Sequence, residues 1–205
     1  MENNLIFTLS GEAQAGKDTI AQMIKMHCEK IDLSCFNLAF ADAVKYHCAR
    51  NFGYGDKATG RHILQEFGTK VRSIEKDFWA RQVYTTIDAF RELFDVFVIS
   101  DARYENELQL FPFSLCYPII NIYVKRDFDS PLGVEEYNHE SEAMAHNADL
   151  SKFHYVIDNN GALEDTYKQV VDIVNDVIDK KLEFLKSQRG IMEELNTEVG
   201  DEDVE

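Results

Sequence analysis

The 205 residues carry 37 Asp and Glu against 21 Lys and Arg, a formal net charge of −16 at neutral pH. That balance opposes binding to polymeric DNA or RNA, where Lys and Arg must replace counterions, but it permits a small phosphorylated ligand, which needs only a few cations converging in a cleft. No apolar run approaches the length of a bilayer span, and Met1-Glu2-Asn3-Asn4 lacks the basic start and apolar stretch of a secretory leader, so the expectation is a soluble cytoplasmic protein with no membrane partner.

Cys28, Cys35, Cys48 and Cys116 form no C-x-x-C pair, and His27 and His47 beside two of them do not complete a ligand set with metal spacing. Reduced thiols, mostly in the core, are expected rather than zinc or disulfides.

In chain order, Leu5-Ile6-Phe7-Thr8-Leu9 is a short apolar strand followed by a Gly-containing turn. Asp18 to Lys30 reads as a helix with Ile20, Met23, Ile24 and His27 on one face. Cys35 to Phe40 is the next strand, a helix covers about Asp42 to Asn51, and Gly53-Tyr54-Gly55 marks a loop. Helices are predicted over Gly60–Phe67 and Phe78–Leu93. Val96-Phe97-Val98-Ile99-Ser100 is a continuous β-branched and aromatic run, the mark of a strand buried on both faces. Ile119–Val124 and His154–Ile157 complete five strands, and Leu163–Leu185 is a long amphipathic helix that Gly190 is expected to stop. Ile191 to Glu205 holds seven acidic residues and no Lys or Arg. It reads as a solvated, largely disordered tail beyond a single domain of residues 1–190.

Strands spaced by helices imply right-handed βαβ units and a parallel five-stranded sheet between two helical layers, an α/β/α sandwich. Ligands in such folds bind at the carboxyl ends of the strands, which here means after Leu9, after Ser100 and after Val124.

The first of these places carries Gly11-Glu12-Ala13-Gln14-Ala15-Gly16-Lys17-Asp18-Thr19, a G-x-x-x-x-G-K loop between a strand and a helix. Its glycines let backbone N–H groups wrap a phosphate at the helix N-terminus, with Lys17 reaching the outer phosphates. Gly11, Ala13, Gln14, Ala15, Gly16, Lys17, Asp18 and Thr19 are therefore the candidate ATP-phosphate contacts. Asp18 stands where the usual pattern has a Mg²⁺-ligating hydroxyl, which comes one residue later at Thr19. Mg²⁺ is then held mainly by phosphates and water, with Thr19 a candidate contact to phosphate or metal. At the second place, Asp101 can hold Mg²⁺ through water, or serve as a turn residue. At the third, Arg126 opens a polar stretch of about 126–147, with Pro131 and Gly133, that reads as a small lid. Arg126 is a candidate to neutralise the transferring phosphoryl group, or a surface charge at a strand end.

The G-K-D-T form of the loop resembles that of phage deoxynucleoside monophosphate kinases, and further blocks resemble that family in order. These are Phe40-Ala41-Asp42-Ala43-Val44-Lys45, Leu64-Gln65-Glu66-Phe67-Gly68-Thr69 with Trp79, and Ser100-Asp101-Ala102-Arg103-Tyr104-Glu105-Asn106-Glu107. His139-Glu140-Ser141-Glu142 and Asp158-Asn159-Asn160-Gly161 follow, so the resemblance spans roughly residues 5–170. It implies a P-loop kinase fold that moves the γ-phosphoryl group of ATP, with Mg²⁺, to a deoxynucleoside monophosphate. It makes Arg103 a ligand of the acceptor monophosphate, a task suited to the planar guanidinium fork, and counts Arg103 with Lys17, Asp101 and Arg126 as the catalytic set. Lys45, Arg61 and Arg72 surround the acceptor-side blocks, each either a monophosphate contact or a solvated charge. Asn160 lies in the loop that sits near adenine in similar kinases, although turn chemistry alone explains its composition. Trp79 is read as a packing anchor. The resemblance also suggests a phage source and hence a host-cell cytoplasm, and leaves a homodimer open. Two rivals stand beside this reading: a P-loop kinase for another small acceptor such as dephospho-coenzyme A, and a nucleotide-binding regulatory module without turnover.

Overall fold

The computed structural model describes residues 4–53, 57–109, 118–127, 142 and 145–200, without the side chains of 57–59, 61 and 188–200. Strand β1 (Leu5–Ser10) leads through the glycine loop into α1 (Lys17–Lys30) and then β2 (Cys35–Leu38). Helices α2 (Phe40–Phe52), α3 (Lys57–Ile74) and α4 (Phe78–Phe90) precede β3 (Val96–Ile99). The short α5 (Glu105–Gln109), β4 (Ile119–Lys125), a single 3₁₀ turn (Leu150–Lys152), β5 (Tyr155–Asp158) and α6 (Leu163–Gly200) follow.

The strands form one parallel sheet in the order β2-β3-β1-β4-β5. Strand β1 is central, with β2 and β3 on one side and β4 and β5 on the other. The chain thus reverses its direction of winding beside β1, and the crevice this opens at the carboxyl end of β1 is where the phosphate loop emerges. Alternation along the strands splits the core into two layers. Leu5, Phe7 and Leu9 face Ile20 and Ile24 of α1 and Val170, Val174 and Val177 of α6. Ile6, Phe97 and Ile99 face Phe40 of α2, Ala80, Val83 and Ile87 of α4, and Leu108 of α5. These are the two helical layers expected from the sequence. Among the described residues, no helix is long and apolar enough to cross a membrane.

Three element boundaries differ from the sequence reading. Phe40, read as a strand end, opens α2, because its N–H and that of Ala41 are taken by a side chain far along the chain, Asp101. Helix α3 runs through Gly68 to Ile74, although a central glycine costs a helix about 1 kcal/mol relative to Ala. The Gly68 carbonyl oxygen accepts from Trp79 Nε1 at 3.1 Å, and Trp79 is buried, as a packing anchor. Finally, α6 passes Gly190 and continues to Gly200. A glycine stops a helix only where the chain turns into the left-handed region, and a helical sequence on both sides can carry it through. Of the cysteines, Cys28, Cys35 and Cys48 are buried and free. Cys116 and residues 201–205 lie outside the described residues, as do His139 and most of the 126–147 segment.

Candidate active site

The phosphate loop is pinned from three sides. Gly11 has φ 142°, and a Cβ there would collide with the Val124 carbonyl oxygen of β4. Gly16 caps α1 with φ 99°, and a Cβ would meet the Asn159 side-chain amide. Both positions need glycine, since L side chains rarely adopt these angles. Asn159 donates to the Ala15 carbonyl oxygen at 2.8 Å and is itself oriented by Thr166 Oγ1 at 2.9 Å. On the opposite side, Ala102 N–H donates to the Leu9 carbonyl oxygen at 3.0 Å. That bond lays the segment after β3, with Asp101 and Arg103, alongside the loop. Gln14 adds a further left-handed residue (φ 66°), and α1 begins at Lys17, so the amides of its first turn have no carbonyl one turn earlier in the helix. An anion facing that turn meets both these N–H groups and the positive helix end.

Lys17 Nζ donates to the carbonyl oxygens of Gly11 and Glu12, at 2.7 Å each. Burial and the nearby Arg103 charge lower its pKa to about 8, against the opposing pull of Glu142 and Asp101. Asp18 and Thr19 are exposed on the first turn of α1.

Asp101 does more than end a strand. Its Oδ1 accepts from Phe40 N at 2.6 Å and its Oδ2 from Ala41 N at 2.9 Å, so it caps α2 across 60 residues of sequence. Burial raises its pKa; the two amides and Arg103 work against that rise. Each oxygen keeps a second lone pair.

Arg103 sits between two buried carboxylates. Its guanidinium Nη1 pairs with Glu142, which is 1 % exposed. Its backbone N–H, with that of Tyr104, donates to Glu107 Oε2 at 2.7 and 3.2 Å. Glu107, also 1 % exposed, takes Arg72 Nη2 on its other oxygen, and the Arg72 guanidinium lies 3.7 Å over the Tyr104 ring. Burial raises the Glu107 pKa to about 6 in spite of Arg72 and the amide bond. For Arg103, burial works against the charge, but Glu142 and Asp101 outweigh it and raise the pKa above the ordinary arginine value.

The structure thus brings the phosphate-loop residues, Asp101 and Arg103 together. It ties Arg72 to them through Glu107. The other candidates stand apart. Lys45 is an exposed residue of α2, 50 % accessible at its side chain and paired with Asp42 at 3.1 Å, a surface pair worth a few tenths of a kcal/mol. Arg61 lies on α3, its side chain outside the described residues. Arg126 is exposed just past β4. Asn160 joins the loop after β5 to the residue following Arg126, accepting from Asp127 N at 2.7 Å and donating to the Asp127 and Asp158 carboxylates. Three residues outside the candidate set complete the site: Asn159, Glu107 and Glu142. Each belongs to a motif block, but only the folded chain shows its partner.

The sequence matches the deoxynucleotide monophosphate kinase family over residues 32–170, about two thirds of the chain. The chain belongs to this family. The match begins after the phosphate loop and includes the blocks carrying Asp101, Arg103, Glu107 and Glu142. The chain is a nucleotide kinase by family. No curated protein matches it. Among solved structures, the crystal structure of APE1195 is 17 % identical, covering 87 % of this chain and 98 % of that one, with a TM-score of 0.49. A mutant APS kinase from Mycobacterium tuberculosis is 9 % identical over 85 % of this chain and 99 % of its own, with a TM-score of 0.47. Dephospho-CoA kinase from Campylobacter jejuni is 13 % identical over 85 % and 97 %, with a TM-score of 0.48.

Proposed function

We propose that this nucleotide kinase transfers the γ-phosphoryl group of ATP to the phosphate of a deoxynucleoside monophosphate. An oxygen of the acceptor phosphate attacks the γ-phosphorus, the bond to the β–γ bridging oxygen breaks, and ADP and the deoxynucleoside diphosphate leave. The observation that carries the reading is the Ala102-to-Leu9 backbone bond, which sets Arg103 beside the loop that holds Lys17. In this reading a donor-phosphate cradle and an acceptor-phosphate arginine share one crevice. Phosphoryl transfer depends mainly on positioning and charge, so this juxtaposition is the central requirement.

In this reading Lys17 leaves its loop carbonyls to hold the donor phosphates, with the amides of residues 13–19. Arg103 receives the acceptor phosphate in bidentate fashion, Arg72 supports that side, and Arg126 offsets charge on the transferring group. Lys45, Arg61 and Asn160 are outer contacts to the two nucleotides. Among the described residues there is no cluster of three or more metal-ligating side chains. One carboxylate with free lone pairs fits a Mg²⁺ bound chiefly by substrate phosphates and water, so Asp101, through water, and Thr19 are the residues that would hold it. Bound there, Mg²⁺ would neutralise phosphate charge.

The test is ADP release with Mg·ATP and each common deoxynucleoside and ribonucleoside monophosphate, with dephospho-coenzyme A as a further acceptor. Turnover with deoxynucleoside monophosphates is expected, abolished by Lys17→Ala and reduced at least a hundredfold in kcat/KM by Arg103→Ala, the loss of a charged phosphate ligand. ATP binding without turnover on any monophosphate would refute the reading.

A further inference from the structure

We propose that Glu142 is a positioning residue for the acceptor arginine, holding the Arg103 guanidinium so that its free edge meets the monophosphate; this rests on the kinase reading above.

Arg103 is fixed at both ends by different carboxylates. Its backbone N–H is held by Glu107 Oε2 at 2.7 Å, and its Nη1 by Glu142. A guanidinium has five donors in one plane, and a single charged hydrogen bond at Nη1 sets that plane while leaving Nε and Nη2. Among the described residues those two nitrogens make no hydrogen bond, and the Arg103 side chain is 32 % exposed. Anchoring at Nη1 thus keeps the Nε–Nη2 edge, the one able to take two phosphate oxygens side by side, clear of protein hydrogen bonds.

Glu142 can act as an anchor because it is itself enclosed. It is 1 % exposed, and the residues just after it lie against two other parts of the site. The Ala145 carbonyl oxygen accepts from Tyr123 OH of β4 at 2.9 Å, and His146 Nδ1 lies 3.7 Å from Glu12 Oε1 of the phosphate loop. A long arginine side chain gives up rotamer freedom when it is fixed. Glu142 makes that loss part of folding rather than of substrate binding. It also supplies the counter-charge that lets the half-buried Arg103 lie close to Lys17, where two cations without it would oppose each other.

The test is a double-mutant cycle on acceptor binding. Deoxynucleoside monophosphate affinity is measured by calorimetry without ATP, and acceptor KM with saturating Mg·ATP, in wild type, Glu142→Ala, Arg103→Ala and the double variant. Glu142→Ala is expected to raise acceptor Kd and KM about tenfold, while in the Arg103→Ala background it changes them less than twofold, the sign of action through Arg103. Glu142→Gln keeps an acceptor oxygen in the same place but not the counter-charge and should recover part of the affinity lost in Glu142→Ala, whereas Glu142→Asp keeps the charge but withdraws it by one methylene and should recover less; this pair decides the matter if the alanine variant does not fold. Equal effects with and without Arg103, or an unchanged acceptor affinity in both Glu142→Ala and Glu142→Asp, would overturn the proposal. A wild type that binds the monophosphate without turnover would refute the kinase reading while the binding cycle still decides Glu142. A wild type that binds no monophosphate would overturn both.

Discussion

Lys17 is the residue whose chemistry the fold alters most visibly. Its pKa of about 8 lies below the ordinary lysine value of 10.5, chiefly through burial and then through Arg103. The protonated form is therefore disfavoured in the folded state, a cost fully present below about pH 8 and relieved as the pH rises from there towards 10.5. If Lys17 holds the donor phosphates as proposed, triphosphate binding reverses the preference, because the phosphates need the ammonium. ATP affinity should accordingly fall about tenfold between pH 8 and pH 9.5 as the free enzyme loses that proton. Binding at pH 8 should take up protons, seen as a dependence of the calorimetric enthalpy on the buffer's heat of ionisation. Gly11 is the second residue with a sharp consequence. Its φ of 142° and the Val124 carbonyl oxygen leave no room for a methyl group. Gly11→Ala should cost about 1–3 kcal/mol in a urea titration and weaken ATP binding as β4 and the loop are forced apart.

At the scale of elements, two carboxylates, Asp101 and Glu107, tie helices to the crevice. Asp101 accepts both leading amides of α2. Asp101→Ala should therefore destabilise the protein by about 1–2 kcal/mol as the cap is lost, and Asp101→Asn, which keeps one good acceptor, by less. If Asp101 also holds Mg²⁺ through water, Asp101→Asn will need more Mg²⁺ for half-maximal rate, a change that a cap alone would not produce. Glu107 ties α3, through Arg72, to the loop that carries Arg103. Its pKa of about 6 exceeds the ordinary 4.5 because of burial, so the folded state binds more protons than the unfolded chain between those values. The contribution of this group to stability thus rises as the pH falls from about 6 towards 4.5. Relative to Glu107→Gln, which has no proton to take up, wild type should gain about 1 kcal/mol between pH 7 and pH 5 in urea titrations.

Among the described residues of the whole molecule, the α6 side chains in the core facing α1, among them Tyr167, Val170, Ile173, Val174, Val177 and Ile178, lie well before the acidic stretch. We propose that residues 191–205, seven of them acidic, stand outside the catalytic domain. A chain ending at Gly190 should retain ATP binding and acceptor turnover within twofold and lose only a few degrees of Tm. A large loss of either would assign the tail a part in the fold or the site. The −16 charge makes a second whole-molecule expectation: no retention on immobilised duplex DNA at low salt, where electrostatic binding would be strongest.

Periodicity and local motifs determined much of this protein. The five strands, two apolar layers and the phosphate loop are readable because each depends on neighbouring residues: a two-residue alternation, a helical stripe, or glycines at fixed spacing before a lysine. Arg103 and Asp101 could be singled out from a short block at a strand end. Tertiary structure decided what those residues touch. The strand order, which puts β3 beside β1, brings Asp101 to the start of α2 and Ala102 to Leu9. Helix α2 begins at Phe40 because of a carboxylate 61 residues away. Asn159 reaches Ala15 across 144 residues, Glu142 reaches Arg103 across 39, and Glu107 reaches Arg72 across 35. Buried polar groups must find partners once water is excluded. Those partners are set by how distant segments pack, which no local pattern in the chain records.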